Sequence, residues 1–236
     1  MHFHKAGGTT INALFDKYCK WEPNKNGNPW LNNNIIPFWN YKKDKFNIFK
    51  NILHKKGIEF VAFEWNYFKF FNEIDYKNIE LITCIREPYK RFISNMIVDK
   101  HINSYNYNNK NIKWPWSESN QTFFVNYNKY NYYTKMLNGF GDIPNIELND
   151  THIEIAKQNL SKFSTIIILD DSETFNLLKK YDKIHTLDQH KNKNMHKNMH
   201  ENSCVIDFEE FKRLNHYDYE LYEYAKELSY LQLNVL

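Results

Sequence analysis

Two adjacent glycines, Gly7 and Gly8, stand between His4-Lys5-Ala6 and the paired hydroxyls of Thr9 and Thr10. They permit a tight turn and a close backbone approach. Ile11, Leu14, Phe15 and Tyr18 then recur at helical spacing, so the turn feeds directly into an amphipathic helix. A Gly-rich turn entering a helix presents unpaired N–H groups and the positive end of the dipole, a natural seat for phosphate. Lys5 adds a point charge within reach of such an anion. A Gly-rich surface turn with an ordinary Thr cap would produce the same local pattern.

The rest of the chain alternates short apolar runs with helical periods. Ile58–Phe63 reads as a strand ending at Glu64-Trp65, and Ile79–Ile85 is the clearest buried strand. Pro88 suits the first turn of a helix whose apolar face is Tyr89, Phe92, Ile93, Met96 and Ile97. Asp44 is a candidate cap for a helix with Phe46, Phe49, Ile52 and Leu53 on one side, stopped near Gly57. Further helices are expected over about 121–138, closed by Gly139, from Asn149 or Asp150 through Phe163, from Ser172, and from about 207 to the end. In the last of these Leu221, Ala225, Leu228 and Leu231 share a side. A strand is expected over Thr165–Leu169. Strands alternating with helices predict an α/β fold with a mainly parallel sheet. Ligands of such sheets bind beyond the strands' carboxyl ends. Those ends carry the Lys5 loop, Glu64, Arg86 and Asp170-Asp171, which should converge on one crevice.

Composition narrows the reading further. At 236 residues there is room for one sizeable α/β domain or two small ones, and a net charge of +3 does not suggest a nucleic-acid binder. The wealth of Asn, Lys, Tyr, Phe and Ile reads as A/T-rich codon drift, which discounts surface Asn and Tyr as functional signals. Cys19, Cys84 and Cys204 are odd in number and far apart, so a reducing compartment is the simpler expectation, with Cys84 a buried thiol. No signal peptide or membrane-spanning run is expected, which favours a cytoplasmic location; an N-terminus trimmed from a longer chain would admit the Golgi lumen. Residues 21–43, 101–120 and 184–203 read as irregular or mobile loops. In the last of them His196 and His200 belong to a low-complexity near-repeat rather than a metal pair.

The lysine precedes the glycines, so the Gly-x-x-x-x-Gly-Lys-Ser/Thr order of ordinary ATP and GTP sites is absent. The order Lys5-x-Gly7-Gly8-Thr9 instead resembles the 5′-phosphosulfate loop of sulfotransferases that use 3′-phosphoadenosine 5′-phosphosulfate (PAPS). A second stretch, Arg86-Glu87-Pro88-Tyr89-Lys90-Arg91-Phe92-Ile93-Ser94, is similar to the 3′-phosphate motif of the same family, with Glu87 where Asp is usual. By itself this stretch is equally an Arg pairing with Glu87 and a Ser exposed on a helix. Asn131–Leu137, Ile168–Phe175 and Leu221–Ala225 resemble the heparan-sulfate and glycan O-sulfotransferase branch more faintly.

The resemblance implies a P-loop-like central parallel sheet flanked by helices, in one sulfotransferase domain over residues 1–236. It assigns Lys5, Ala6, Gly7, Gly8, Thr9 and Thr10 to the 5′-phosphosulfate, and Arg86 and Ser94 to the 3′-phosphate. It further implies transfer of a sulfuryl group to a hydroxyl or amine of a glycan or small acceptor, without a metal, leaving 3′-phosphoadenosine 5′-phosphate. Members of this branch often place a His or Glu base after the strand that precedes the 3′-phosphate strand. Here Glu64 occupies that region, while His2 and His4 flank the loop as rivals. A strand-end Glu pairing with a nearby Lys is the alternative for Glu64. Trp65, Trp114 and Trp116 are stacking surfaces or core aromatics. A P-loop-type nucleotide or small-molecule kinase, and a non-catalytic PAPS- or glycan-binding relative, are the competing functions.

Overall fold

The computed structural model describes residues 3, 6–15, 20–21, 51, 54–55, 57, 59–61, 79–98, 130–140, 146–181 and 207–236. Lys5, Glu64, His2 and His4 lie outside them, as do Trp65, Trp114, Trp116, His196 and His200. Outside them also are residues 101–120, 184–203, all of 21–43 except Trp21, and most of the helix expected after Asp44.

The described elements run in the order α1 (Gly8–Leu14), β1 (Lys20–Trp21), β2 (Phe60–Val61), β3 (Ile82–Ile85), α2 (Pro88–Val98), α3 (Tyr132–Leu137), α4 (Asp150–Leu160) and β4 (Thr165–Ile168). A 3-10 helix (Ser172–Lys180), α5 (Phe208–Leu214) and α6 (His216–Leu233) follow. The architecture is mixed α/β, and the described strands form two parallel pairs, β1 with β2 and β3 with β4. Trp21 is therefore a strand residue, where an irregular connection was expected.

The β3–β4 pair organises the core. Its register sets Ile82 against Thr165 and Ile85 against Ile168. Side chains of a strand alternate between faces. Ile85, Ile166 and Ile168 accordingly join Phe3, Tyr132, Tyr133, Leu160, Leu221 and Ala225 on one side. Cys84 and Ile167 join Ile11, Leu14, Phe15, Phe175 and Leu178 on the other. Thus α3, α4 and α6 cover one face, and α1 with the 3-10 helix covers the other. All four residues of β4 are buried, which fits a short β-branched run covered on both faces.

Helix boundaries follow local chemistry. Asn149 caps α4 by accepting from His152 N–H at 3.3 Å, while His152 Nδ1 accepts from Asn149 N–H at 3.0 Å. The helix stops at Leu160, before the expected Phe163. Of the helix expected over about 121–138, residues 121–129 lie outside the described residues; Asn131 adopts φ 46, a left-handed conformation that interrupts helical geometry, and α3 begins directly after it at Tyr132. Its end matches expectation: Gly139, at φ 75, supplies the left-handed residue that closes α3. The element from Ser172 is a 3-10 helix with Asp171 Oδ1 accepting from Glu173 N–H at 3.0 Å.

The C-terminal helical stretch divides at Asn215, which leaves helical geometry at φ −116 and ψ 26 while Phe211 C=O accepts from both its backbone N–H at 3.0 Å and its side-chain amide at 2.8 Å. Leu231 is 61% exposed, against expectation, while Ser229 takes a buried place by donating to Ile166 C=O at 2.7 Å. On α2, Phe92 is buried, but Arg91, Ser94 and Asn95 are buried with it, so that helix hides a polar face the apolar spacing did not announce. No helix among the described residues is long and apolar enough to cross a membrane.

Candidate functional site

The Gly7 turn lies against the ends of β3 and β4. Gly7 has φ 94, and a Cβ there would stand 2.6 Å from Leu169 Cδ1 and 3.2 Å from Cys84 Sγ. The backbone conformation thus favours glycine, and a Cβ would fit only if the Leu169 methyl groups shifted. Ala6 is fully buried and its N–H donates to Phe3 C=O at 3.1 Å. Gly7 C=O then accepts from Thr10 N–H at 2.9 Å and Ile11 N–H at 3.2 Å, which starts α1 at Gly8. The first N–H groups of a helix have no partner within it, so the Gly8 and Thr9 amides are left without a helical acceptor, and Gly8 is buried. Thr10 is buried at 8% exposure. Thr9 lies in α1, and its side chain is outside the described set.

Arg86 follows β3 directly, two residues beyond the cysteine that touches the turn. Its peptide is clamped from both sides. Arg86 N–H donates to the Tyr133 hydroxyl at 3.1 Å, and that hydroxyl donates to Arg86 C=O at 2.8 Å. On the β4 side, Leu169 N–H donates to Ile85 C=O at 2.8 Å and Glu87 N–H to Asp170 Oδ2 at 3.2 Å. The Arg86 side chain is half-buried, and among the described residues its Nε is buried without a hydrogen-bond partner. Asn95 Oδ1 on α2 is in the same condition. Ser94 is 9% exposed, on the same buried side of α2 as Arg91 and Asn95.

Glu87 does not pair with Arg86. Its Oε2 accepts from Lys90 N–H at 2.7 Å, opening α2, and its Oε1 accepts from the Tyr219 hydroxyl of α6 at 2.5 Å. Asp170 is held by Glu87 N–H and lies 3.5 Å from Lys90 Nζ. The Glu87 and Asp170 carboxylates are therefore turned onto the protein's own donors, which lessens their repulsion of an approaching anion. The Cys84 thiol reports the surrounding charges. Burial pushes its pKa up, Asp170 adds to that rise, and Arg86 opposes it.

Of the four places expected to converge, the Gly7 turn, the Arg86 junction and Asp170 meet at the ends of β3 and β4. Asp171 faces elsewhere, capping the 3-10 helix and accepting from the Tyr230 hydroxyl. Arg91 is buried, its guanidinium 4.0 Å from the Tyr132 ring centroid. Tyr133 and Asn95 were not singled out from the sequence. Asn95 had a usable signal, falling four residues after Arg91 on one helix face. Tyr133 lies in the Asn131–Leu137 stretch, but nothing local pairs its hydroxyl with Arg86, 47 residues away. Comparison with family models, with curated proteins and with solved structures finds no match for this chain.

Proposed function

We propose that the protein is a PAPS-dependent sulfotransferase acting on a hydroxyl or amine of a glycan or small-molecule acceptor, built on a P-loop-like parallel sheet. The observation that carries the reading is the meeting of two stretches that each resemble one half of that family's cofactor signature. The Gly7 turn packs on Cys84 and Leu169, and Arg86 leaves the same strand end with Nε buried and unpartnered among the described residues. An unsatisfied buried cationic donor suits a phosphate oxygen, which accepts strong charge-assisted hydrogen bonds.

In this assignment Arg86 and Ser94 hold the 3′-phosphate, and the Ala6–Thr10 turn holds the 5′ end through its backbone amides and hydroxyls. When bound, PAPS supplies the sulfuryl group. Lys5 neutralises charge growing at the 5′ end as the group departs, and Glu64 takes the acceptor's proton, with His2 and His4 as its rivals.

The test is a thermal-shift titration with 3′-phosphoadenosine 5′-phosphate beside ATP plus magnesium. The reading expects a rise in melting temperature that grows with the adenosine bisphosphate and exceeds the ATP response. The reverse order points to a nucleotide kinase. Stabilisation without sulfuryl transfer from radiolabelled PAPS to a panel of glycans and hydroxylated metabolites points to a non-catalytic relative.

A further inference from the structure

Arg86 leaves the sheet with its peptide held by a side chain rather than by a strand. In an extended strand a residue's own N–H and C=O point to the same side, and successive residues alternate sides. Ile85 faces β4, where its C=O accepts from Leu169 N–H. Arg86 therefore faces away from β4, and there the Tyr133 hydroxyl both accepts from its N–H and donates to its C=O. One phenol thus stands in for a rung of a neighbouring strand.

That phenol is itself fixed. The Tyr133 ring is fully buried, edge-on to Phe3 at 5.0 Å between centroids. The Tyr133 N–H donates to Asp218 Oδ2 at 3.0 Å, which ties the start of α3 to α6. Burial raises the phenol's pKa well above the ordinary tyrosine value, so the hydroxyl keeps the proton it donates.

We propose that Tyr133 is a positioning residue for Arg86, clamping the peptide at the end of β3 so that the guanidinium is presented in one direction. With the Arg86 peptide also bounded by Asp170 on Glu87 N–H, little backbone freedom remains between the two clamps. This inference rests on the reading of Arg86 as the group that meets the cofactor's 3′-phosphate.

The experiment combines residue-resolved amide exchange with calorimetric titration on the full chain. In the wild type, Arg86 N–H should exchange as slowly as Leu169 N–H. Tyr133→Phe keeps the ring and deletes the clamp. It should raise Arg86 exchange by at least about tenfold relative to Leu169, the scale of one lost buried hydrogen bond. The same variant should weaken 3′-phosphoadenosine 5′-phosphate by about tenfold and adenosine 5′-phosphosulfate, which lacks the 3′-phosphate, by less than about twofold. Thr134→Val, which removes a hydroxyl bond to Asp218 on the same helix turn, should leave the ratio of the two affinities unchanged. A purely structural role for Tyr133 would make the two variants alike, and that result overturns the proposal. An unprotected Arg86 amide in the wild type overturns it too, even if Tyr133→Phe does not fold. Undiminished binding by Tyr133→Phe defeats the positioning role alone. A wild type that binds no adenosine bisphosphate defeats the cofactor reading, and the positioning role with it.

Discussion

Asp218 and Arg86 are tied to the same short helix, α3, in opposite circumstances. Asp218 is 1% exposed, and both its carboxylate oxygens are in use. Oδ2 accepts from Tyr133 N–H at 3.0 Å, while Oδ1 accepts from Thr134 N–H and Thr134 Oγ1, each at 2.9 Å. Asn131 completes the network, donating through its N–H to Asn215 Oδ1 at 2.7 Å and accepting from Asp218 N–H at 3.2 Å. At Arg86 the backbone is held as firmly, but Nε and the nearby helix's Asn95 Oδ1 are buried without partners among the described residues. A polar cluster that satisfies itself fixes helices against one another. One left unsatisfied costs stability and keeps its capacity for a ligand.

The contrast breaks most visibly at Asp218. Asp218→Ala strands two amides and a hydroxyl in the core, and should cost about 3–5 kcal/mol of stability in urea denaturation. A loss below about 1 kcal/mol would mean that the network merely decorates the α3–α6 contact. Gly7→Ala comes next. Its positive φ and the 2.6 Å approach to Leu169 Cδ1 should together cost about 1–3 kcal/mol. Because Leu169 can shift its methyl groups, most of that loss belongs to the backbone conformation. A neutral Gly7→Ala would show that the turn does not need its left-handed residue.

These two sites also show what the sequence could disclose. Local signals worked where the cause was local. The Gly7-Gly8 turn before α1, the strand run ending at Ile85, Pro88 opening α2, Gly139 closing α3 and one of the two caps offered for α4, Asn149, all follow from residues within a few positions, while the last strand ends at Ile168, one residue short of the expected Leu169. Distant pairings left no trace. Nothing near Asn131 announces that Asn215 and Asp218, more than 80 residues later, hold the start of α3. The same holds for the Tyr133 hydroxyl on Arg86. On the buried polar side of α2 only Ser94 was singled out, and only through the resemblance; apolar spacing ranks Arg91 and Asn95 as solvent-facing, and tertiary packing overrode it. At Leu231 the opposite occurred: an apolar residue in period ended up exposed near the end of α6.

A smaller effect sharpens the comparison through pH. Burial raises the Asp218 pKa above its ordinary 3.8, although its hydrogen bonds and Arg91 oppose the rise. From 3.8 up to that raised value the folded chain retains a proton that the unfolded chain has released. Stability contributed by this group is therefore full below 3.8 and falls as pH rises through the window. The slope is at most about 1.4 kcal/mol per pH unit. The wild type's stability relative to Asp218→Asn should decline as urea midpoints are followed from pH 4 toward 7. A difference that grows with pH would mean that the hydrogen bonds, rather than burial, set this carboxyl's titration.

The most direct test of the account is calorimetric titration of 3′-phosphoadenosine 5′-phosphate and of adenosine 5′-phosphosulfate into the wild type and Arg86→Ala. Arg86→Ala should bind the bisphosphate about 1.5–3 kcal/mol more weakly, the scale of hydrogen bonds to a charged group. It should bind the ligand without a 3′-phosphate almost as the wild type does, and its urea midpoint should hardly move. Equal losses for both ligands, or a large loss of stability with no change in the affinity ratio, would place Arg86 with Asp218 as a structural group and contradict the account.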